Sequence, residues 1–291
     1  MYLPYELLLQ PFVDYGFMRR ALVAIFGLAI GCGPIGVFLI LRRMSLVGDA
    51  MSHAVLPGAA IAFLLFGFSL TAMTIGGFLV GLAVALCAGT ITRLTPQRED
   101  ASFAALFLIS LALGVMLVSW QGTSVDLMHV LFGAILAVDN PALILVAGIA
   151  TVSVITLAAI FRALVIECLD PGFLRAVHGG GARYHLLFLV LVVLNLVAGF
   201  QSLGTLMTVG LMMLPAASAR FWTSEIGPML LFSAAGAFVS GYLGLLVSYH
   251  ANLPSGPAII LTAGLMYILS VVFGRNGGLV RTYLRAPHFQ R

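Results

Sequence analysis

Lysine is absent from this chain, and acidic residues number only ten. All fourteen cationic side chains are therefore arginine, and charged residues make up 8% of the 291 positions. A water-soluble domain carries about 25% charged residues. With 62% hydrophobic residues and a mean hydropathy of +1.13, the chain lacks the polar surface to cover one aqueous core. A soluble enzyme and a disulfide-stapled secreted domain are excluded. What remains is a polytopic membrane protein. The pI of about 9.2 does not point to nucleic acid, because an arginine excess in such a chain reports topology. Without lysine, the phosphate-binding loop G-x-x-x-x-G-K-[ST] cannot exist, so any driving ATPase is another chain. H-E-x-x-H, G-x-S-x-G and cysteine clusters are missing too. The chain reads as a non-enzyme with no permanently bound cofactor.

Three cysteines bound little. Cys32 and Cys87 lie in apolar runs and read as small buried hydrophobes, while Cys168 reads as part of a charged loop. No cleaved signal peptide is expected. Glu6 and Asp14 sit where such a segment is basic, and the apolar run after Arg20 is too long at 21 residues.

Charge-free runs define the spans: residues 21–41, 54–92, 101–125, 140–161, 186–219, 226–249 and 251–274. A spanning helix needs about 20 apolar residues. The 39-residue run therefore holds two helices, broken near Gly67-Phe68-Ser69, the first beginning near Ser45. In the 34-residue run, Gln201-Ser202-Leu203-Gly204 marks a turn that leaves two halves at the short limit, one of them open to being broken or re-entrant. Pro215 reads as a helix break and Pro254-Ser255-Gly256-Pro257 as an external turn. The fold class is all-α, a helical bundle of eight or nine spans forming one transmembrane domain over residues 1–291. With the loop 162–183 placed in the cytoplasm, twelve of fourteen arginines fall inside. Arg19 and Arg20 break the rule, since the N-terminus then lies outside.

The sharpest motif is Arg42-Arg43-Met44-Ser45-Leu46-Val47-Gly48-Asp49-Ala50-Met51-Ser52-His53. Helical spacing puts Asp49 and His53 on one face, with Ser45 and Ser52 beside them. A carboxylate and an imidazole one turn apart suit zinc or manganese, and ionisable groups within a span usually face a pathway. The same residues also fit a helix cap, with His53 merely paired to Asp49. A second motif starts with Asp170 as N-cap and Pro171 at the first helical position, and stops at Gly179. It specifies a short cytoplasmic helix over 170–178, with Phe173, Leu174 and Val177 as apolar contacts and Arg175 as a charged one. Such a helix needs a partner surface, either a protein or the lipid interface. Asp126 and His129 form a second pair in an external segment and read as a solvated helix pair. Met207, Met212 and Met213 read as core, and Asn195 as a bond to a neighbouring helix.

The run from Arg42 to Gly58 resembles the hallmark of permease subunits in the zinc/manganese uptake group of ATP-binding-cassette importers. Three more stretches fit in order: 165–178, 201–222 (QSLGTLMTVGLMMLPAASARFW) and 253–274 (LPSGPAIILTAGLMYILSVVFG). The resemblance implies a homodimeric permease of the bacterial plasma membrane, embedded in lipid and served by cytoplasmic ATPase subunits. An extracytoplasmic metal-binding protein would deliver zinc or manganese. It also implies that Asp49 and His53 lie in the metal path, and that Asp170, Pro171, Phe173, Leu174 and Arg175 belong to the ATPase-coupling helix. Many relatives carry a polar residue where this chain has Ala134. Two other classes compete. A proton-coupled secondary transporter usually needs several intramembrane acids or bases, where this chain offers one clear pair. A non-transporting scaffold gives Asp49 and His53 no task. The orientation is testable: cysteines introduced at Arg98 and Phe173 are expected to be shielded from an impermeant reagent outside, and one at Ser255 to label. Outside labelling at Phe173 would invert the topology.

Overall fold

The computed structural model of the chain describes residues 4–45, 47–67, 69–120, 138–169 and 181–284. Among them are thirteen helices and no strand. In order these are α1 (Pro4–Leu8), α2 (Gln10–Asp14), α3 (Gly16–Leu41), α4 (Val47–Ala54), α5 (Leu56–Phe66), α6 (Leu70–Leu94), α7 (Glu99–Trp120) and α8 (Asn140–Leu169). They continue with α9 (Gly181–Leu203), α10 (Thr205–Ala219), α11 (Ile226–Ala251), α12 (Ser255–Phe273) and α13 (Leu279–Leu284). Eight segments are long and apolar enough to cross a membrane, α4 and α5 together making one of them. The ninth candidate, α10, has 15 residues and spans about 22 Å at 1.5 Å per residue, short of a hydrocarbon core of about 30 Å. The expectation of eight or nine spans is met.

Helix α3 is the hub. It packs against α8, α9, α10 and α11. Lipid gives helices no hydrophobic reason to associate, so close backbone approach through small residues has to hold them. Buried Ala21, Ala24, Ala29, Gly31, Cys32, Gly33 and Gly36 supply that surface on α3. A side chain at Gly33 would run into the backbone of Ala234, and Ser233 Oγ donates to the Gly33 carbonyl at 2.8 Å. On α9, Asn195 Nδ2 donates to Ser153 Oγ of α8 at 2.6 Å, the interhelical role its position in a span predicts. Met207 and Met212 are fully buried, as core residues should be. A second group, α4 to α7, forms its own contacts; α6 ties it to α9, and α4 ties it to α9 and α10.

The interruptions fall where glycine allows them. Gly67 at φ +68° separates α5 from α6, and Gly204 at φ +86° separates α9 from α10. Ser69 caps α6, its Oγ accepting the Ala72 N–H. Four expectations need correction. Pro215 lies inside α10 without ending it, packed with Met266 against Gly236 of α11 in a buried setting that holds the helix together. Helix α8 runs to Leu169 rather than stopping at Phe161, because Ala163–Leu169 stays helical with Leu164 in the core. The connection between α8 and α9 therefore shortens, and Cys168 belongs to a helix rather than a loop. Cys87 is exposed on the outer face of α6, whereas Cys32 is buried.

Helices α5 and α6 cross closely, and a Cβ on Gly58 or on Gly76 would strike the other's carbonyl. Gly76→Ala should cost about 1–3 kcal/mol through overpacking. Gly148 of α8 meets nothing within 4 Å, so Gly148→Ala should be neutral or stabilising. Melting midpoints in detergent check this, and equal shifts for the two variants would refute it.

Candidate functional site

The site begins at the C-terminal end of α3. The chain reverses there through a C-terminal motif in which Met44 N–H donates to the Leu39 carbonyl at 2.8 Å and Arg43 N–H to Ile40 at 3.0 Å. Glycine usually occupies the left-handed position of this motif; here Arg43 does, at φ +58°. Met44, Val47, Met51 and Ala54 are buried and fix one side of α4 in the protein. The opposite side carries Asp49 and His53.

Helix α4 cannot continue into α5 unbroken. Pro57 has no N–H to offer the turn before it. The Ala54 carbonyl at the break accepts Ser110 Oγ of α7 at 2.9 Å instead. The break leaves α4 as a short, separately placed helix whose polar side faces a cleft. Asp49, Ser52 and His53 form one wall of that cleft. Thr205, Leu206, Val209 and Gly210 of α10 and Ile260 of α12 form the other, enclosing about 300 Å³.

His53 Nε2 lies 4.0 Å from Asp49 Oδ1, the carboxylate side chain 67% exposed and the imidazole 27%. The His53 ring rests against Phe107, centroid to centroid 5.6 Å. Ser52 Oγ donates to the Asp49 carbonyl at 2.6 Å, so its hydroxyl serves the helix backbone. Asp49 stands in the first turn of α4, inside the helix rather than at its cap, and Ser45 lies two residues upstream of it. The two side chains are thus adjacent and reachable from the cleft. Among the described residues no group of three or more His, Cys, Asp or Glu converges. Among the described residues one copy of the chain offers two such donors at the cleft.

The far wall of the cleft was not singled out residue by residue in the sequence, although it lies within the stretches 201–222 and 253–274. Three buried or half-buried polar groups near the inner helix ends were also passed over. Arg42 places its guanidinium over Phe188 at 5.6 Å, and Glu167 and His185 are buried at the end of α8 and the start of α9. Asp170, Pro171, Phe173, Leu174 and Arg175 lie outside the described residues, as do Asp126, His129 and Ala134.

A family model described as the ABC 3 transport family matches residues 14–274. The chain belongs to the ABC 3 transport family. As an ABC 3 permease with eight span-length apolar helices, it is a multi-pass protein of the bacterial plasma membrane. It is 34% identical over 275 residues to the manganese transport system membrane protein MntC of Listeria innocua, covering 94% of this chain and 96% of that one. To the chelated iron transport system membrane protein YfeC of Yersinia pestis it is 30% identical over 280 residues, covering 96% and 94%. Among solved structures it is similar to PsaBC from Streptococcus pneumoniae in complex with Fab, with TM-score 0.82 and 31% identity over 97% of this chain and all of that one. The family expectation drawn from the motifs is met.

Proposed function

We propose that this chain is the permease of an ATP-driven importer of manganese, with zinc and iron as competing cargo, and that Asp49 and His53 contact the ion in transit. The observation that carries the reading is the pair itself, a carboxylate and an imidazole side by side on a broken helix and open to a cleft. An exposed carboxylate within a span is costly in lipid, so it belongs against water or a counter-ion. A divalent ion in the cleft supplies that counter-charge. The relatives named for manganese and chelated iron transport favour the same cargo class. Thiolate is missing from the site, which suits manganese better than a closed zinc site.

Two donors do not complete the coordination of manganese, which favours six ligands. A second copy of the chain placed about a twofold axis would double the set, and water would fill the rest. The permease therefore works as a homodimer in this reading. ATP is hydrolysed by separate cytoplasmic subunits, and an extracytoplasmic metal-binding protein hands over the ion. The helix specified over 170–178 follows α8 and precedes α9, and both of these pack on α3. Force applied there enters α3, and through the Arg42–Met44 reversal it reaches α4.

Asp49→Asn keeps size but removes the balancing charge, and His53→Ala removes a donor. Each should abolish manganese uptake by the reconstituted complex while the ATPase still copurifies. Normal uptake by both variants would refute the ligand roles. Coupling has its own test. Burying one large apolar side chain is worth about 1.5–3 kcal/mol, so Phe173→Ala should weaken ATPase association roughly tenfold or more. Phe173→Asp should abolish it, since a charge would be desolvated without a partner. Stoichiometric ATPase and full transport with Phe173→Asp would place the coupling surface elsewhere.

A further inference from the structure

The N-terminal helices α1 and α2 take no part in the cleft, and their residue pattern is unusual for a strap on a soluble surface. Leu9 between them lies in the right-handed helical region, and Leu9 N–H donates to Tyr5 at 2.9 Å, so helical periodicity runs through the joint. Three faces result. Pro11 and Phe12 are buried, with Phe12 stacked on Tyr242 of α11 at 5.2 Å. Tyr5, Leu9 and Val13, four residues apart, make an apolar stripe that is more than half exposed throughout. Glu6, Gln10 and Asp14, also four apart, make an exposed polar stripe, and Glu6 and Gln10 border an open hollow with His250. Protein, apolar surface and water thus each have one side of the same helix.

Its attachment sets its depth. The carbonyls of Leu7 and Leu8, left without helical partners at the end of α1, are taken by α11. Tyr242 Oη donates to Leu8 at 2.8 Å, and His250 Nε2 meets the Leu7 carbonyl at 3.0 Å. His250 is two residues from the left-handed Asn252 that ends α11, where that span leaves the membrane. Tyr15 packs on Tyr249 at 5.7 Å, adding to an aromatic cluster of the kind found at membrane boundaries. The exposed apolar surface continues from this level down both flanking spans, through Val23 and Phe26 of α3 and Val239, Leu243 and Val247 of α11. Arg19 turns its guanidinium back toward the start of α3, 3.7 Å from where a Cβ on Gly16 would stand. That is the direction of the headgroups.

From these placements we infer that residues 4–15 form an in-plane membrane-surface helix. Tyr5, Leu9 and Val13 sit at the acyl boundary, the Glu6 stripe faces water, and the outer ends of α3 and α11 are pinned at that level. Lipid is the partner because the stripe is continuous with the lipid-facing sides of two spans. Arg19 and Arg20 then lie among lipid phosphates, which accounts for their breaking the positive-inside pattern. The inference rests on membrane residence alone and not on the metal or ATPase roles.

Tryptophan placed at Leu9, Val13, Gln10 or Asp14 in the complex, reconstituted in phosphatidylcholine–phosphatidylglycerol vesicles, tests it. Emission above the Trp120 and Trp222 background is quenched by acyl-brominated lipid or by aqueous iodide. Leu9→Trp and Val13→Trp should be quenched several-fold more by bromolipid than Gln10→Trp and Asp14→Trp, with the order reversed for iodide. All four positions are exposed, and two probes per stripe guard against one variant misfolding. Equal iodide quenching at all four would overturn the inference. So would loss of bromolipid quenching at Leu9 and Val13 on adding the extracytoplasmic binding protein, which would make the stripe a protein-docking face.

Discussion

Hydrocarbon offers no water to a backbone carbonyl that has lost its helical partner, and the arrangement of this permease depends on how it meets that constraint. At several of the described helix ends a hydroxyl or a left-handed residue takes over. Ser110 answers the Ala54 carbonyl at the α4–α5 break, and Ser248 Oγ donates to Leu253 at 2.7 Å where α11 ends. Each break is then affordable. On the short helix before the α4–α5 break, a carboxylate and an imidazole stand side by side at the cleft.

The second constraint is packing without a hydrophobic drive. Small residues on α3 bring four helices into backbone contact, and such contacts slide or hold but do not compress. In the coupling proposed above, a hub of this kind passes rigid-body displacement from the C-terminal end of α8 and the N-terminal end of α9 to α4. The buried Glu167 and His185 sit at those ends, and Arg42 covers Phe188 beside the reversal that starts α4. Polar groups buried among helix termini hold one arrangement firmly, as transmission of force requires.

Most of this fold was legible in the sequence because lipid punishes charge along the whole length of a span, so charge-free runs mark helices directly. Gly67 and Gly204 announced the two hidden turns, since each occupies a backbone conformation other residues avoid. The misreadings share one cause: local rules yield to neighbours. Pro215 stays within a helix because it is buried among neighbouring helices, and α8 outlasts Arg162 because its next turns are packed. The exposure of Cys87 depends on which side of α6 the other helices occupy, which spacing alone does not encode. Of the site, Asp49 and His53 were legible through their four-residue separation. The opposing wall was not, for Thr205, Leu206, Val209, Gly210 and Ile260 carry no chemistry that stands out until the fold sets them against α4.

That wall bears on selectivity. It is largely apolar, so the cleft does not surround an ion with fixed ligands; it offers one charged oxygen, one nitrogen and space. An ion crossing such a site keeps part of its water shell and is bound weakly enough to leave, as passage demands. Manganese, which favours oxygen donors and retained water, loses less there than an ion that requires a closed tetrahedral set. Discrimination among divalent ions then has little purchase within a single copy of this chain. In the proposed reading it falls to whatever completes the site, a second copy or the protein that presents the ion, with Asp49 and His53 offering one charge and one donor on the way.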